Sequence, residues 1–329
     1  MCDISIIVPV YNHEKYVRKT LESILMQKLK CTYEVLVGED CSTDNSRKVI
    51  QEFEMNAPNN FHFFYRSENY GAKKNIDDLY SRMKGRYFIV IEGDDFWNYE
   101  YKLQKQYEYL EEHKDYIAVA HRTYVVGKEN ELLNISYPEC HHKIYKGIDF
   151  LNFKMAGQTA TMLYRNYITF PEFDVNLNTG AFKPGDRKKL FLAFSHGKIR
   201  CFPQKWSSYR YVLEGGSSFS ANHISKFDEY IPYYKGIYEY AKSHEEVSKE
   251  VEKITEMAYA WELFKINLKD SNTNTLSELR NVIMLSHNKP QIYIFFVYKI
   301  LKYPYTIWNR ILTDRKKNNI RIKQKNERE

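Results

Sequence analysis

The sequence predicts an α/β protein built on a sheet whose first strands run parallel. Short β-branched runs alternate with segments of helical spacing, and this alternation repeats through the first hundred residues. A β-α-β-α-β-α-β pattern is typical of a parallel sheet with helices on both faces. In such sheets, ligands bind beyond the carboxyl ends of the strands. The sequence therefore also predicts where a functional site lies.

Each element follows from its own local pattern. The strands are predicted at residues 4–10, 33–37, 61–65 and 86–91, all rich in β-branched or aromatic residues. Helical spacing follows each of the first three strands: after Val17, behind the helix-start residues Ser42–Asp44, and over Asn75–Met83. A fourth helix is predicted at 102–116, strands near 117–126 and 159–164, and helices from about residue 225 onward.

Polar side chains gather where three of the predicted strands end. These residues are Tyr11 and Asn12 after the first strand, Glu39 and Asp40 after the second, and Glu92-Gly-Asp-Asp95 after the fourth. Because the carboxyl ends of parallel strands meet at one edge, we expect the carboxylates to converge. Hard oxygen ligands of this kind suit Mg²⁺ or Mn²⁺ bridging to the phosphates of a ligand.

Composition excludes several classes of protein. The chain of 329 residues is 43% hydrophobic and 28% charged, which disfavours a disordered, collagen-like or polytopic membrane protein. The five cysteines are scattered without a Cys-x-x-Cys pair, and the N-terminus lacks a signal-peptide pattern, so the sequence predicts a reducing, cytoplasmic location. The phosphate-binding loop, the dinucleotide fingerprint and the hydrolase nucleophile elbow are all absent from the sequence.

The C-terminal region is apolar and then basic. Residues 292–312 are rich in aromatic and aliphatic side chains, and residues 314–329 carry seven Lys or Arg against three acids. Such a segment suits an anionic membrane surface, so a peripheral position at the inner face of the cell membrane is one reading. The alternative is a core helix followed by a solvated end. Since the basic excess lies at this end and not with aromatics on the folded body, the sequence predicts no nucleic-acid partner.

Four motifs, in order, resemble a known family. They are Ile6-Ile-Val-Pro-Val-Tyr-Asn12, Glu34-Val-Leu-Val-Gly-Glu-Asp-Cys-Ser-Thr-Asp-Asn-Ser46, Asn69-x-Gly71 leading to Asn75, and Gly85-Arg-Tyr-Phe-Ile-Val-Ile-Glu-Gly-Asp-Asp95. This series resembles the family 2 glycosyltransferases of the GT-A fold, in which helices flank a mixed sheet. Gly185-Asp186 and Tyr209-Arg210 add similarity to the bacterial polysaccharide-biosynthesis branch. The resemblance covers about residues 3–220 and implies a GT-A domain at 1–220, while helical periodicity and basic composition predict a helical region at 221–312 and a basic, disordered tail at 313–329.

The resemblance also implies a role for particular residues. The implied donor-binding residues are Pro9, Tyr11, Asp40, Lys74, Glu92 and Asp94, with Tyr11 beside the base and Asp40 accepting from the imide N–H of uracil or thymine. Asp95 would bind Mn²⁺ or Mg²⁺ on the diphosphate. Asp186 would be the general base of an inverting displacement, the alternative being a helix cap. Trp97 would form an acceptor platform or a buried anchor, and a solvated Lys74 is the alternative to a phosphate contact.

The implied activity is transfer of a sugar from a nucleotide sugar, most simply a UDP-sugar, to a hydroxyl of a glycan or lipid-linked glycan in surface polysaccharide synthesis. Two departures from the family pattern stand out. Glu92 replaces an Asp, and no His precedes Gly215-Gly216, so Arg210, Glu214 or His223 would have to substitute. The alternatives are a catalytically degenerate sugar-nucleotide or glycan-binding module, and a nucleotidyltransferase, which would need a glycine-rich basic loop after the first strand.

Overall fold

The computed structural model describes residues 2–135, 143–168, 177, 185–211, 230–269 and 273–302. The chain divides into two compact units, Met1–Glu252 and Lys253–Glu329. The domain bounds that the sequence predicts, at 220 and 312, stay a prediction, and the basic tail at 313–329 lies outside the described residues.

The strands of the first unit form one eight-stranded mixed sheet. They are β1 (Ile4–Val10), β2 (Tyr33–Glu39), β3 (Phe61–Tyr65), β4 (Tyr87–Val90), β5 (Phe96–Trp97), β6 (Tyr116–Val126), β7 (Leu163–Arg165) and β8 (Lys198–Arg210). Their order across the sheet is β3-β2-β1-β4-β7-β6-β8-β5. The first four strands run parallel, as the sequence predicts, whereas β7 lies antiparallel to both β4 and β6.

Ten helices are described along the chain. They are α1 (Val17–Leu25), α2 (Ser46–Glu54), α3 (Gly71–Arg82), α4 (Lys102–Glu112), α5 (Gly147–Leu151), α6 (Gly185–His196), α7 (Tyr230–Ser243), α8 (Lys249–Lys269), α9 (Thr273–Leu285) and α10 (Lys289–Lys302). Among these described helices, none has the length and apolar character needed to cross a bilayer.

The core lies between the sheet and the helices on its faces. On one face, alternate residues of β1 such as Ile6 and Val8 pack with α1, α2 and α4, as the alternation of strand side chains requires. On the other face α3 contacts β1 and β2. A Cβ at Gly38 would lie 2.6 Å from Asn75 Oδ1 and 2.9 Å from Leu79 Cδ1, so glycine lets α3 pack closely on β2.

The strand order opens a crevice beside β1. β1 pairs with β2 along its whole length, but its register with β4 ends at the pair Ile7 and Val90. Because β2 and β4 flank β1 and their connections leave in opposite directions, this is the topological switch point of the sheet. Pro9, which has no N–H to donate, lies just beyond the last β4 pairing.

The structure moves some predicted boundaries. α3 begins at Gly71, before the predicted start at Asn75, and α4 ends at Glu112 because Tyr116 already belongs to β6. The segment near 159–164 contains a 3-10 turn at Thr159–Thr161 before β7. The long strand β8 has no counterpart among the predicted strands.

The second unit is helical within its described residues. Trp261 of α8 lies 5.5 Å from the ring of Phe296 of α10, and both side chains are buried. Ser286, in the turn between α9 and α10, donates to Glu256 Oε2 of α8 at 2.7 Å. These contacts tie the three helices together and confirm the helical C-terminal region.

Candidate active site

The loops that follow β1 and β2 are held together at the switch point. Asn12 and Cys41 have φ of 57° and 55°, a left-handed conformation uncommon outside glycine. The Asn12 N–H donates to Ser42 Oγ at 3.0 Å, and the Thr43 N–H donates to Asn12 Oδ1 at 2.9 Å. Strained residues fixed by such bonds concentrate at functional sites.

Asp40 lies at the end of β2 beside the start of α3. Its Oδ1 accepts from the Tyr70 N–H at 2.8 Å, and the residue is 2% exposed. Pro9 and Tyr11, at the end of β1, are partly exposed at the same edge, and the Asp40 N–H donates to Val10 O. The structure thus brings these three predicted donor-binding residues to one edge of the sheet.

Lys74 stands in the first turn of α3, and its side chain is exposed. The neighbouring Asn75 is buried and donates to Gly38 O at 2.9 Å, so that residue anchors the helix to β2. Because Tyr70, just before the helix, contacts Asp40, the start of α3 lies at the predicted site. A phosphate contact by Lys74 stays a prediction.

Three carboxylates converge where β4 ends. Glu92, Asp94 and Asp95 each offer an oxygen, and these oxygens lie within 4.8 Å of one another. Glu92 is exposed, Asp94 is intermediate and Asp95 is fully buried. A cation that approaches from solvent therefore meets Glu92 and Asp94 first.

The carboxylates repel one another. Desolvation by the surrounding protein, then repulsion from Asp94, raises the pKa of Glu92 to about 7. Burial, then repulsion from Asp94 and Glu92, raises the pKa of Asp95. The repulsion between carboxylates is the part of these pKa shifts that a bound cation would offset. A cluster of mutually repelling carboxylates suits a divalent cation, which takes oxygen ligands and would offset the repulsion.

Two donors outside the motif fix Asp95. Gln158 Nε2 donates to its Oδ2 at 2.7 Å, and the Arg210 N–H donates to its Oδ1 at 2.9 Å. The Arg210 side chain is 1% exposed and donates to Asp94 O at 3.0 Å and to Gly127 O at 2.7 Å. The end of β8 is thereby locked to the carboxylate cluster.

Sequence reasoning did not single out His13 or Gln158. His13 Nε2 lies 3.9 Å from Asp94 Oδ2, and a Cβ at Gly93 would lie 2.7 Å from His13 Nδ1. The position of His13 directly after Asn12, at the end of β1, is a signal that could have revealed it. Nothing local in the sequence around Gln158 indicates its contact with a residue 63 positions away.

Asp186 lies in the first turn of α6, and its Oδ1 accepts from the Arg187 N–H at 2.8 Å. Its charge raises the pKa of Glu92, whereas the ammonium group of Lys189, one turn further along α6, lowers it. Asp186 is therefore an electrostatic neighbour of the cluster, although 91 positions separate it from Asp95 in the sequence. The structure thereby places the predicted base near Glu92, one of the predicted donor-binding carboxylates.

Trp97 fits the buried-anchor alternative. Its side chain is 2% exposed, its indole N–H donates to Ala160 O at 2.9 Å, and Lys102 Nζ lies 4.2 Å from the ring centroid. Burial lowers the pKa of Lys102, whose Nζ donates to Gln106 Oε1. Because the ring is buried, it offers no open face to a sugar in this structure.

Replacing Trp97 by Phe is expected to destabilise the first unit by about 2 kcal/mol, through lost packing and an unpaired Ala160 carbonyl. Urea unfolding followed by circular dichroism measures this. A matched replacement of Trp206, whose burial is intermediate, should cost less. If the variant keeps its stability but no longer transfers sugar to the acceptor, Trp97 is instead the acceptor platform.

The residues proposed to replace the missing His divide into two groups. Glu214 and His223 lie outside the described residues. Arg210 is described, and its guanidinium donates to backbone carbonyls and to Asn130 Oδ1 at 2.7 Å. In this structure Arg210 stabilises the cluster through its hydrogen bonds to Asp94 O and Asp95 Oδ1.

One half of the sheet is parallel, a carboxylate cluster lies at its switch point, and an antiparallel strand follows. Together these features define a sugar-nucleotide transferase fold of the GT-A class. Residues 5–169, half of the chain, match the family model described as Glycosyl transferase family 2. The chain belongs to this family, as the sequence motifs predict.

Individual relatives and structures agree with this assignment. The chain is 29% identical over 214 residues to the uncharacterized protein Rv1520 of Mycobacterium tuberculosis, covering 64% of this chain and 59% of that protein. It is 35% identical over 109 residues to the putative teichuronic acid biosynthesis glycosyltransferase TuaG of Bacillus subtilis, covering 33% of this chain and 42% of that protein. The crystal structure of Staphylococcus aureus TarS 1–349 with UDP-GlcNAc has a TM-score of 0.58 at 18% identity, covering 92% of this chain and 89% of that chain. This similarity confirms the fold.

Proposed function

We propose that this protein transfers a sugar, with inversion, from a UDP-linked donor to a hydroxyl of a glycan acceptor. The observation that carries the proposal is the convergence of the Glu92, Asp94 and Asp95 carboxylates where β4 ends, with the Asp186 charge near enough to Glu92 to raise its pKa. It supplies a candidate base and a candidate diphosphate site at one edge of the sheet. The chain spans about three fifths of the length of the curated relatives it matches first, so the activity of the whole protein is part of the proposal.

The donor is proposed to lie across the ends of β1, β2 and β4. Asp40 would accept from the imide N–H of uracil with the lone pairs that the Tyr70 N–H leaves available. Tyr11 would flank the base, and Lys74 would face a phosphate from the first turn of α3. Glu92 and Asp94, the accessible carboxylates, would bind the ribose and the sugar hydroxyls, and Asp94 would also offer an oxygen to the cation at the cluster.

The carboxylate cluster fits a divalent cation of the Mn²⁺ or Mg²⁺ type. Its oxygens lie close together, they repel one another, and Asp95 is oriented by Gln158 and Arg210. When bound, such a cation stabilises the negative charge that develops on a departing diphosphate. The structural role of Gln158 and Arg210 is to hold Asp95 in one orientation.

Asp186 is proposed to take the proton of the acceptor hydroxyl. In an inverting displacement this oxygen attacks the anomeric carbon opposite to the bond that breaks, so base and leaving group lie on opposite faces of the sugar. A carboxylate within hydrogen-bond reach performs this transfer. The bond from the Arg187 N–H restrains the Asp186 side chain, while its second oxygen remains for the acceptor.

The acceptor is proposed to be a glycan or a lipid-linked glycan of a surface polysaccharide, of which capsule and lipopolysaccharide are examples. Support comes from TuaG, whose name places it in teichuronic acid biosynthesis, and from TarS, a poly(ribitol-phosphate) β-N-acetylglucosaminyltransferase. We propose that the protein acts in the cytoplasm at the inner face of the cell membrane, where nucleotide sugars and lipid-linked acceptors meet.

Thermal unfolding with nucleotides tests the donor site directly. We expect UDP with Mn²⁺ to raise the melting temperature, with a gain of about 2.7 kcal/mol at a hundredfold excess over Kd. The controls are the same measurement with dTDP, GDP and CMP, and the measurement with UDP on the Asp95→Ala variant. If no nucleotide shifts the transition of the wild-type protein, the donor assignment is wrong and a degenerate glycan-binding module takes its place.

Asp40→Asn is expected to weaken UDP binding about tenfold or more, because a charged acceptor is replaced by a neutral amide. An amide also offers an N–H, which cytosine N3 can accept, so the ratio of CDP to UDP affinity should rise. Titration calorimetry with both nucleotides measures this ratio. The matched control is Asp44→Asn. In the wild-type protein the Asp44 carboxylate accepts from the N–H groups of Glu14 and Ser46, and its replacement should leave the ratio unchanged.

A further inference from the structure

The positive charge of this protein is concentrated at its C-terminal end. Residues 289–329 contain eleven Lys or Arg and three acidic residues, a net charge of +8. The whole chain carries +7, so residues 1–288 are close to neutral at −1. No Asp or Glu occurs between Glu278 and Asp314. The helix α10 therefore lies in a stretch of sequence that is uniformly basic or uncharged.

Helix α10 is apolar on both of its faces. One face is buried within the second unit through Ile292, Phe295 and Phe296. The opposite face carries Ile294, Val297 and Leu301, which are 68%, 55% and 73% exposed. A helix that is hydrophobic all round is normally covered on all sides, so the outward face lacks a partner among the described residues.

The features around this face indicate what covers it. Lys289 and Lys302 stand at the two ends of the helix, and eight further basic residues follow it in the sequence. A second copy of the chain would bring like charges together, whereas an anionic surface would attract them. Within the described residues α10 has 14 residues and is about 21 Å long, shorter than a hydrocarbon core of about 30 Å.

We propose that the outward face of α10 docks on a bilayer that contains anionic phospholipid, with the helix lying in the plane of the interface. Ile294, Val297 and Leu301 enter the boundary between head groups and acyl chains, and the net positive charge of the C-terminal sequence is attracted to the anionic head groups. This inference deepens the membrane position given in the proposed function by naming the contacting face. It places no requirement on the chemistry at Asp186.

Co-sedimentation of the full chain with lipid vesicles tests the proposal. We expect binding to vesicles of phosphatidylcholine with phosphatidylglycerol, little binding to phosphatidylcholine alone, and weakening as salt rises. The variant Ile294→Gln with Leu301→Gln should bind at least about tenfold more weakly, because two inserted side chains become polar. A matched control, Met55→Gln with Leu132→Gln, changes residues that are 77% and 71% exposed and should bind as the wild type does.

Three results would overturn the proposal. They are equal binding of the α10 variant and the wild type, equal binding to neutral and anionic vesicles, and a solution dimer that the α10 variant converts to a monomer without any vesicle binding. Circular dichroism and the UDP-induced thermal shift check that the variant is folded. Since sedimentation requires neither nucleotide sugar nor acceptor, its failure is distinct from failure of the transferase assignment.

Discussion

Asp186→Asn is expected to slow sugar transfer by about 10²–10⁴-fold, the usual contribution of a general base. Asparagine keeps the acceptor oxygen that the Arg187 N–H uses, and it is as good at a helix start as aspartate. The helix should therefore remain, while the group that takes the acceptor proton is lost. Steady-state release of UDP measures the rate, and calorimetry should find UDP binding changed by less than about threefold.

The matched control is Asp115→Asn, an exposed carboxylate paired with Lys198 outside the candidate site. Its rate should stay within about twofold of the wild-type rate, since exposed ion pairs contribute little. A second readout is chemical rescue, in which formate restores part of the rate of Asp186→Ala by supplying a carboxylate. If Asp186→Asn retains nearly the full rate, the residue is a helix cap and another group is the base.

The parts of the fold that the sequence predicts well are those determined by local patterns. β1 is predicted with the bounds Ile4–Val10 because β-branched residues fill it, and α1 follows from the spacing of Val17, Leu21 and Ile24. The location of Asp40 and Asp94 at one edge of the sheet also follows from sequence, because parallel topology places the ends of β2 and β4 there. Local propensity and topology agree in this half of the sheet.

The remaining parts depend on contacts between distant residues. β8 contains Pro203 and many polar residues, so its pattern is weak, and its pairing with β6 and β5 is what makes it a strand. The same pairing carries Arg210 to Asp95, 115 positions away. Trp97 became an anchor because Ala160 accepts its N–H and Lys102 covers its ring. Apart from Lys102, which is five positions from Trp97, none of these partners is visible in a local window of sequence.

Asp94→Asn is expected to have effects of opposite sign on stability and activity. The Asp94 charge raises the pKa of both Glu92 and Asp95, so removing it relieves repulsion in the metal-free protein. We expect the melting temperature to rise by about 2 °C or less, because water screens the exposed Glu92 from its neighbours. The same change removes an accessible oxygen ligand, so transfer should fall at least about a hundredfold and the Mn²⁺-dependent thermal shift should be lost.

Two comparisons make this prediction specific. Asp115→Asn removes a charge from the same unit without touching the cluster, so it should leave the Mn²⁺-dependent shift intact and give no gain in stability. Asp78→Asn removes the partner of both Arg66 and Arg82 and should lower stability. If Asp94→Asn destabilises the metal-free protein as Asp78→Asn does, Asp94 is a structural ion-pair partner. A gain in stability together with loss of the Mn²⁺ response would instead identify a site whose internal repulsion is relieved by the cation it binds.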